Sequence, residues 1–174
     1  MFRLSLVILI ISCTVLYSCN ESQAETNDVE TIIKSVEGGD FRGNDLGDDI
    51  RKVMAREQRN IVYDMPDELT CRIPLNIKDS TFYEITYNFN DEGLYVIDLD
   101  VYPKSSSAVV ELFDEFKDYY DKRYGKSTVD EGYTTWFTQS NRDTDVEITM
   151  IDETVEKNRP YLTITFYEEY GIAN

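Results

Sequence analysis

Apolar residues recur along this chain with three different periods, and the changes of period divide it. Residues 4 to 16 are largely apolar behind a single basic residue, Arg3, and polar Asn20-Glu21-Ser22 follow soon after. The spacing then turns helical. Val29, Ile32, Ile33 and Val36 recur at i, i+3, i+4 and i+7, with Asn27 and Glu30 placed as a capping box and Gly38-Gly39 as a stop. Asp40 to Leu46 predicts a loop. Gly47-Asp48-Asp49 opens a second helix whose inner face is Ile50, Val53, Met54 and the stem of Glu57, with acidic residues suited to its positive end.

From Ile61 the period becomes two. Thr70 to Ile77, Phe82 to Asn90 and Leu94 to Tyr102 predict consecutive strands, separated by turn-like Lys78-Asp79-Ser80 and Asp91-Glu92-Gly93. The alternation turns Tyr83, Ile85, Tyr87 and Phe89 inward on one strand and Tyr95, Ile97, Leu99 and Val101 on the next. A longer helix follows Ser105 to Ser107, with Val109, Leu112, Phe113, Phe116 and Tyr120 on one stripe and Gly125 as its stop. Three further strands are predicted at Tyr133 to Thr138, Val146 to Ile151 and Tyr161 to Glu168. Thr70 lies opposite Thr134 at an offset of 64, Glu84 opposite Glu147 at 63, and Val101 opposite Phe166 at 65. A near-constant offset is the mark of a duplication. The expected class is therefore α+β, with helices packed on one face of an antiparallel sheet and two related α-β-β-β units, 27–103 and 104–170, within a single domain of residues 27–174.

Composition narrows the chemistry. The chain has no histidine, which removes Ser-His-Asp and Cys-His catalysis together with histidine-ligated zinc. Beyond Cys13 and Cys19 there is only Cys71, which alternates with Ile73, Leu75 and Ile77 as a buried structural thiol would. The formal net charge is −17, a field that repels nucleic acid and anionic headgroups and attracts basic partners.

The N-terminal run is shorter than the roughly 20 residues that span a bilayer comfortably, so it is expected to be a processing signal. Leu16-Tyr17-Ser18-Cys19 resembles the bacterial lipoprotein lipobox, which implies cleavage after residue 18, lipidation (palmitate among the acyl groups) of Cys19 and a polar tether over residues 19–26. Cys13 is a rival site, but cleavage there would leave Thr14-Val15-Leu16-Tyr17 to open the mature chain. Loss of residues 1–18 removes one charge, Arg3, and takes the formal net charge from −17 to −18. An Asp after the cysteine resembles an inner-membrane retention signal. Asn20 stands there instead, which points to the outer membrane.

The order of elements and the Leu46-Gly47-Asp48-x-Ile50-x-x-Val53 helix opening, with the lipobox, resemble small outer-membrane-assembly lipoproteins of the BamE/SmpA type. The doubled unit is similar to the β-lactamase-inhibitor-protein fold. The likeness covers most of residues 28 to 168, and its motifs are generic. Tyr63-Asp64-Met65-Pro66 stands where the assembly lipoproteins have a Gly-x-Pro turn, and no functional residue carries over from either family.

If one sheet face is covered, the alternation assigns Glu84, Thr86 and Asn88, then Asp98, Asp100 and Tyr102, then Trp136, Glu147 and Thr149, and finally Thr163, Thr165 and Tyr167 to the other. That mixture of aromatics, carboxylates and hydroxyls suits contact with a polypeptide or a glycan. The candidate binding residues are Asp98, Asp100, Tyr102, Trp136, Glu147 and Tyr167. Asn141, Asp143, Asp145 and Glu147 superficially resemble a calcium loop, but Val146 stands where its turn needs glycine. Asp98 and Asp100 have the spacing of a catalytic pair without the cleft that such a pair requires. The sequence thus predicts a non-catalytic interaction or scaffolding module at the cell envelope, with no cofactor or metal. Its expected partner is an envelope protein with a basic patch, its membrane contact is the lipid anchor alone, and it binds no nucleic acid. The alternative is a module that binds a glycan or small solute on the open face.

Overall fold

β4 (Gly93–Tyr102) is hydrogen-bonded along both edges, and this joins the molecule into one sheet. In the computed structural model, which describes residues 28–34, 37–76 and 81–169, the strands follow the spatial order β1-β2-β3-β4-β8-β7-β6-β5. Strands β1 (Ile61–Met65), β2 (Glu68–Asn76), β3 (Thr81–Asn90) and β4 form one antiparallel meander. Strands β5 (Thr128–Asp130), β6 (Tyr133–Gln139), β7 (Asp145–Asp152) and β8 (Leu162–Glu169) form the second. The meanders meet where Val96–Val101 runs antiparallel to Leu162–Tyr167. The expected signal, the lipobox-like run ending at Cys19 and the expected tether lie outside the described residues.

The expected class is corrected by this sheet. Among the described residues the fold is dominated by eight antiparallel strands in one sheet, and the helices are few: α1 (Asp28–Ile33), α2 (Ile50–Glu57), α3 (Ser106–Tyr124) and α4 (Thr154–Lys157) have 6, 8, 19 and 4 residues. Each meander has four strands rather than three, because β1 and β5 add an edge at either side. The offset of 64 also fails locally, since it matches Thr70, half-buried on the open face, with Thr134, buried in the core.

Among the described helices only α3 is long, and local chemistry explains it. The Ser105 side chain caps its start by accepting from Ala108 N, Gly125 ends it at φ 93°, and Lys122 and Arg123 lie at its negative end. Its stripe of Val109, Leu112, Phe116 and Tyr120 joins one core with Val29, Ile32 and Ile33 of α1, Val53 of α2 and the inward residues of the strands. The loop of residues 37–49 is part of this layer, with Phe41 and Leu46 buried. It is pinned to the β3–β4 turn by Gly47 N to Leu94 O at 2.7 Å and Leu94 N to Asp48 O at 2.9 Å. A side chain on Gly93 would meet Gly47 O at 2.5 Å, so only glycine allows the approach.

β3 alternates as expected, with Tyr83, Ile85, Tyr87 and Phe89 all buried. β4 departs from expectation at its start. The register shifts between Asn88 and Phe89, so that Leu94 takes the core position and Tyr95 is only half-buried.

Candidate functional site

The sheet face turned away from the core carries rows of aligned residues. One row runs Thr70, Thr86, Asp98, Thr165, Thr149, Thr135, each paired in register with the next across six strands. The adjacent rows are Arg72, Glu84, Asp100, Thr163 on one side and Asn88, Val96, Tyr167, Glu147, Phe137 on the other. Hydroxyls and carboxylates therefore occupy the middle of the face, with aromatics beyond them.

Asp98 and Asp100 sit side by side at alternate positions of β4. Thr165 donates to Asp98 Oδ1 at 2.8 Å, and Asn88 Nδ2 to Asp98 Oδ2 at 3.3 Å. The Thr163 hydroxyl lies 3.1 Å from both Asp100 Oδ1 and Glu153 Oε2, and its one proton serves only one carboxylate at a time. Every one of these donors is neutral. Among the described residues neither aspartate has an ion pair. Burial pushes the Asp98 carboxyl up, Thr165 pulls it back in part, and the charge of Asp100 raises it again.

One end of the face is aromatic. Phe82 and Tyr102 stack with ring centroids 4.4 Å apart, and Tyr161 meets Tyr102 edge-on at 5.1 Å. The Tyr102 hydroxyl donates to Glu84 Oε2 at 3.1 Å, and Arg72 donates to Glu84 Oε1 at 2.9 and 2.6 Å. Burial, followed by the charges of Asp100 and Glu84, pushes the Tyr102 phenol up to about 12. The other end is more open: Tyr167 is 42 % exposed and Phe137 66 %.

Of the residues singled out from sequence, the structure places Asp98, Asp100, Tyr102, Glu147 and Tyr167 on this face. Trp136 is the correction. It is 2 % exposed and lies in the core, with its ring 5.3 Å from that of Tyr120 and its indole N–H donated to Asp121 Oδ1 at 2.8 Å. Its neighbour Phe137 takes the outward position opposite Glu147, and sequence reasoning missed it. Tyr161, in phase with Thr163 at the start of the predicted strand but not counted among the outward residues, and Arg159, in the connection before β8, were missed as well. Asp145 and Glu147 belong to β7 and alternate along it, while Asn141 and Asp143 lie in the turn before it. No three potential ligands converge among the described residues.

Other polar clusters lie off this face, two of which brace the sheet. Arg42 and Glu57, each 1 % exposed, pair at 2.9 Å under the first meander, with Tyr83 and Tyr87 hydroxyls hydrogen-bonded to them. Cys71 is buried close by, and burial pushes its thiol up to about 12, unsuited to nucleophilic chemistry. At the β6–β7 turn, Arg142 pairs with Glu168 and also reaches Glu92 O in the β3–β4 turn at 3.1 Å, tying the meanders together. These arrangements hold the sheet in shape and leave its open face as the candidate site. Compared with protein-family models, with curated proteins and with solved structures, the chain matches none.

Proposed function

We propose that this protein is an exported, lipid-anchored module at the cell envelope that binds a positively charged polypeptide on its open sheet face and catalyses nothing. The observation that carries the reading is the pair Asp98 and Asp100, held in place by neutral donors alone. A pair of neighbouring carboxylates with no cation among the described residues is electrostatically unfinished, and a basic partner supplies the missing charge. Tyr167 and Phe137 give such an interface exposed aromatic anchors of the kind that dominate binding energy. The lipobox resemblance at Cys19 supports the address, with Asn20 favouring the outer membrane.

The test is recovery of partners by the full-length protein from detergent-solubilised envelope, with a photo-crosslinking residue in place of Thr135, which lies beside Phe137 on the same face of β6. A crosslinked polypeptide that is lost in Phe137→Ala with Tyr167→Ala, and that weakens as salt rises, supports the reading. Retention of the same partner by that double variant, with its fold intact, overturns it. Crosslinking to glycan in place of polypeptide turns the assignment to the solute-binding alternative.

A further inference from the structure

The aromatic end of the open face already meets three of the chain's own cations: Lys157, 5.4 Å from the Tyr161 centroid and paired with Glu153, and two arginines that are held differently from each other. The Arg72 guanidinium carbon lies 5.1 Å from the Phe82 ring centroid, and its nitrogens are fixed on Glu84. Arg159 approaches from the opposite side on the short connection between α4 and β8, its guanidinium carbon 4.8 Å from the Tyr102 centroid and 5.4 Å from that of Tyr161. Among the described residues Arg159 has no carboxylate partner, and its side chain is exposed. It rests on the rings by cation–π attraction, a weak hold at an exposed position. Asp100, one alternation along β4 from Tyr102, meanwhile has no cation partner among the described residues.

We propose that this end of the face, Tyr102 and Tyr161 with Asp100 beside them, recognises an arginine side chain of the partner, and that Arg159 is a stand-in that covers the rings until the partner's guanidinium displaces it. The proposal rests on the polypeptide-binding reading and goes beyond it by naming the side chain recognised and a residue of this chain that competes for the place. The planar guanidinium is the group that fits. It stacks flat on a phenol ring while its planar fork offers two parallel N–H donors to a carboxylate, whereas an ammonium, as Lys157 shows between the Tyr161 ring and Glu153, meets both only as a point charge. The incoming arginine has two partners available, the rings and Asp100. Arg159 engages only the rings, so the exchange favours the partner.

The test uses full-length protein in detergent and two synthetic peptides, Ser-Arg-Ser-Arg-Ser and Ser-Lys-Ser-Lys-Ser with blocked ends, titrated at low salt. The arginine peptide should bind more tightly than the lysine peptide. Arg159→Ala should tighten the arginine peptide further by roughly two- to fivefold, the factor that one exposed cation–π contact is worth, and the lysine peptide by less. Asp100→Asn should erase the preference for arginine. An equal gain for both peptides in Arg159→Ala would mark a general charge effect and overturn the proposal, as would no gain, or no binding of either peptide. The two readings fail separately. If the peptides behave as stated but Phe137→Ala with Tyr167→Ala keeps its envelope partner, the arginine site stands and the wider interface falls. If the peptides fail while that double variant loses its partner, the interface stands and the arginine site falls.

Discussion

Trp136 donates its indole N–H to Asp121 Oδ1 at 2.8 Å, and this bond from β6 to the last turn of α3 sets which way β6 faces. Asp121 also accepts from Lys117 at 2.5 Å and from Ser127 N at 3.0 Å, contacts that hold its carboxyl well below the usual carboxylate range. With Trp136 turned inward, Thr135 and Phe137 must turn outward.

Trp136 is the chain's one tryptophan, so its emission reports this arrangement directly. Native protein should show blue-shifted emission shielded from acrylamide. Asp121→Ala leaves a buried N–H without its acceptor and should cost about 1–3 kcal/mol in denaturant unfolding. Red-shifted, readily quenched emission in the native state would contradict the facing.

Arg42 and Glu57 make the second prediction. Arg42 Nη1 also donates to Ile32 O and to the Tyr83 hydroxyl, each at 2.8 Å, so Arg42→Ala strands a buried carboxylate and should cost about 3–5 kcal/mol. Burial alone would raise the Glu57 carboxyl. Hydrogen bonds and charge from Arg42, aided by Asn60 and Tyr87, outweigh it, and the group lies below its ordinary 4.5. A folded-state value below the unfolded one gives stability that is present above the unfolded value and lost as pH falls through the folded one. Melting temperature measured against pH should therefore decline from about pH 4.5 downwards, and Glu57→Gln should flatten that decline while lowering stability at neutral pH.

These two pairs also show what sequence can and cannot supply. The run from Tyr83 to Phe89 was legible because each inward position is apolar or aromatic and each outward one polar. Tyr133 to Thr138 was not, since Thr, Trp, Phe and Thr fit either facing and the deciding partner, Asp121, lies 15 residues away on a helix. Glu57 was legible as an inward position, but its need for Arg42 was hidden in a loop 15 residues upstream. The weight of the sheet was missed for a related reason. β1 and β5 are short exposed edges without clear alternation, and the β4–β8 seam pairs residues more than sixty apart, such as Asp98 with Thr165. Of the candidate site, Asp98, Asp100 and Tyr102 were legible because β4 regains strict alternation after its bulge.

Lipidation gives the third prediction. Cys19→Ala should abolish fatty-acid labelling and leave either an uncleaved precursor or a product released from membranes, and Cys13→Ala should do neither. Unchanged labelling of Cys19→Ala would refute the assignment.

The last prediction sets stability against binding at Asp98. Burial raises its carboxyl above the ordinary 3.8, the Thr165 hydrogen bond offsets part of that, and Asp100 adds to the rise. When the folded value of an acid lies above the unfolded one, the charged group opposes folding at neutral pH, and that penalty is relieved as pH falls through the folded value. Asp98→Asn removes the charge and leaves a carbonyl oxygen to accept from Thr165. It should therefore raise the melting temperature at pH 7, by about 2–4 °C for each kcal/mol of relief in a chain of this size. The same variant should bind the basic partner about tenfold or more weakly, because a carboxylate at the centre of an interface contributes most when a cation meets it there. A protein that becomes more stable and binds less carries Asp98 for recognition. Loss of stability with unchanged binding would instead assign Asp98 to holding β4 against β8, and the open face would lose its claim as the interface.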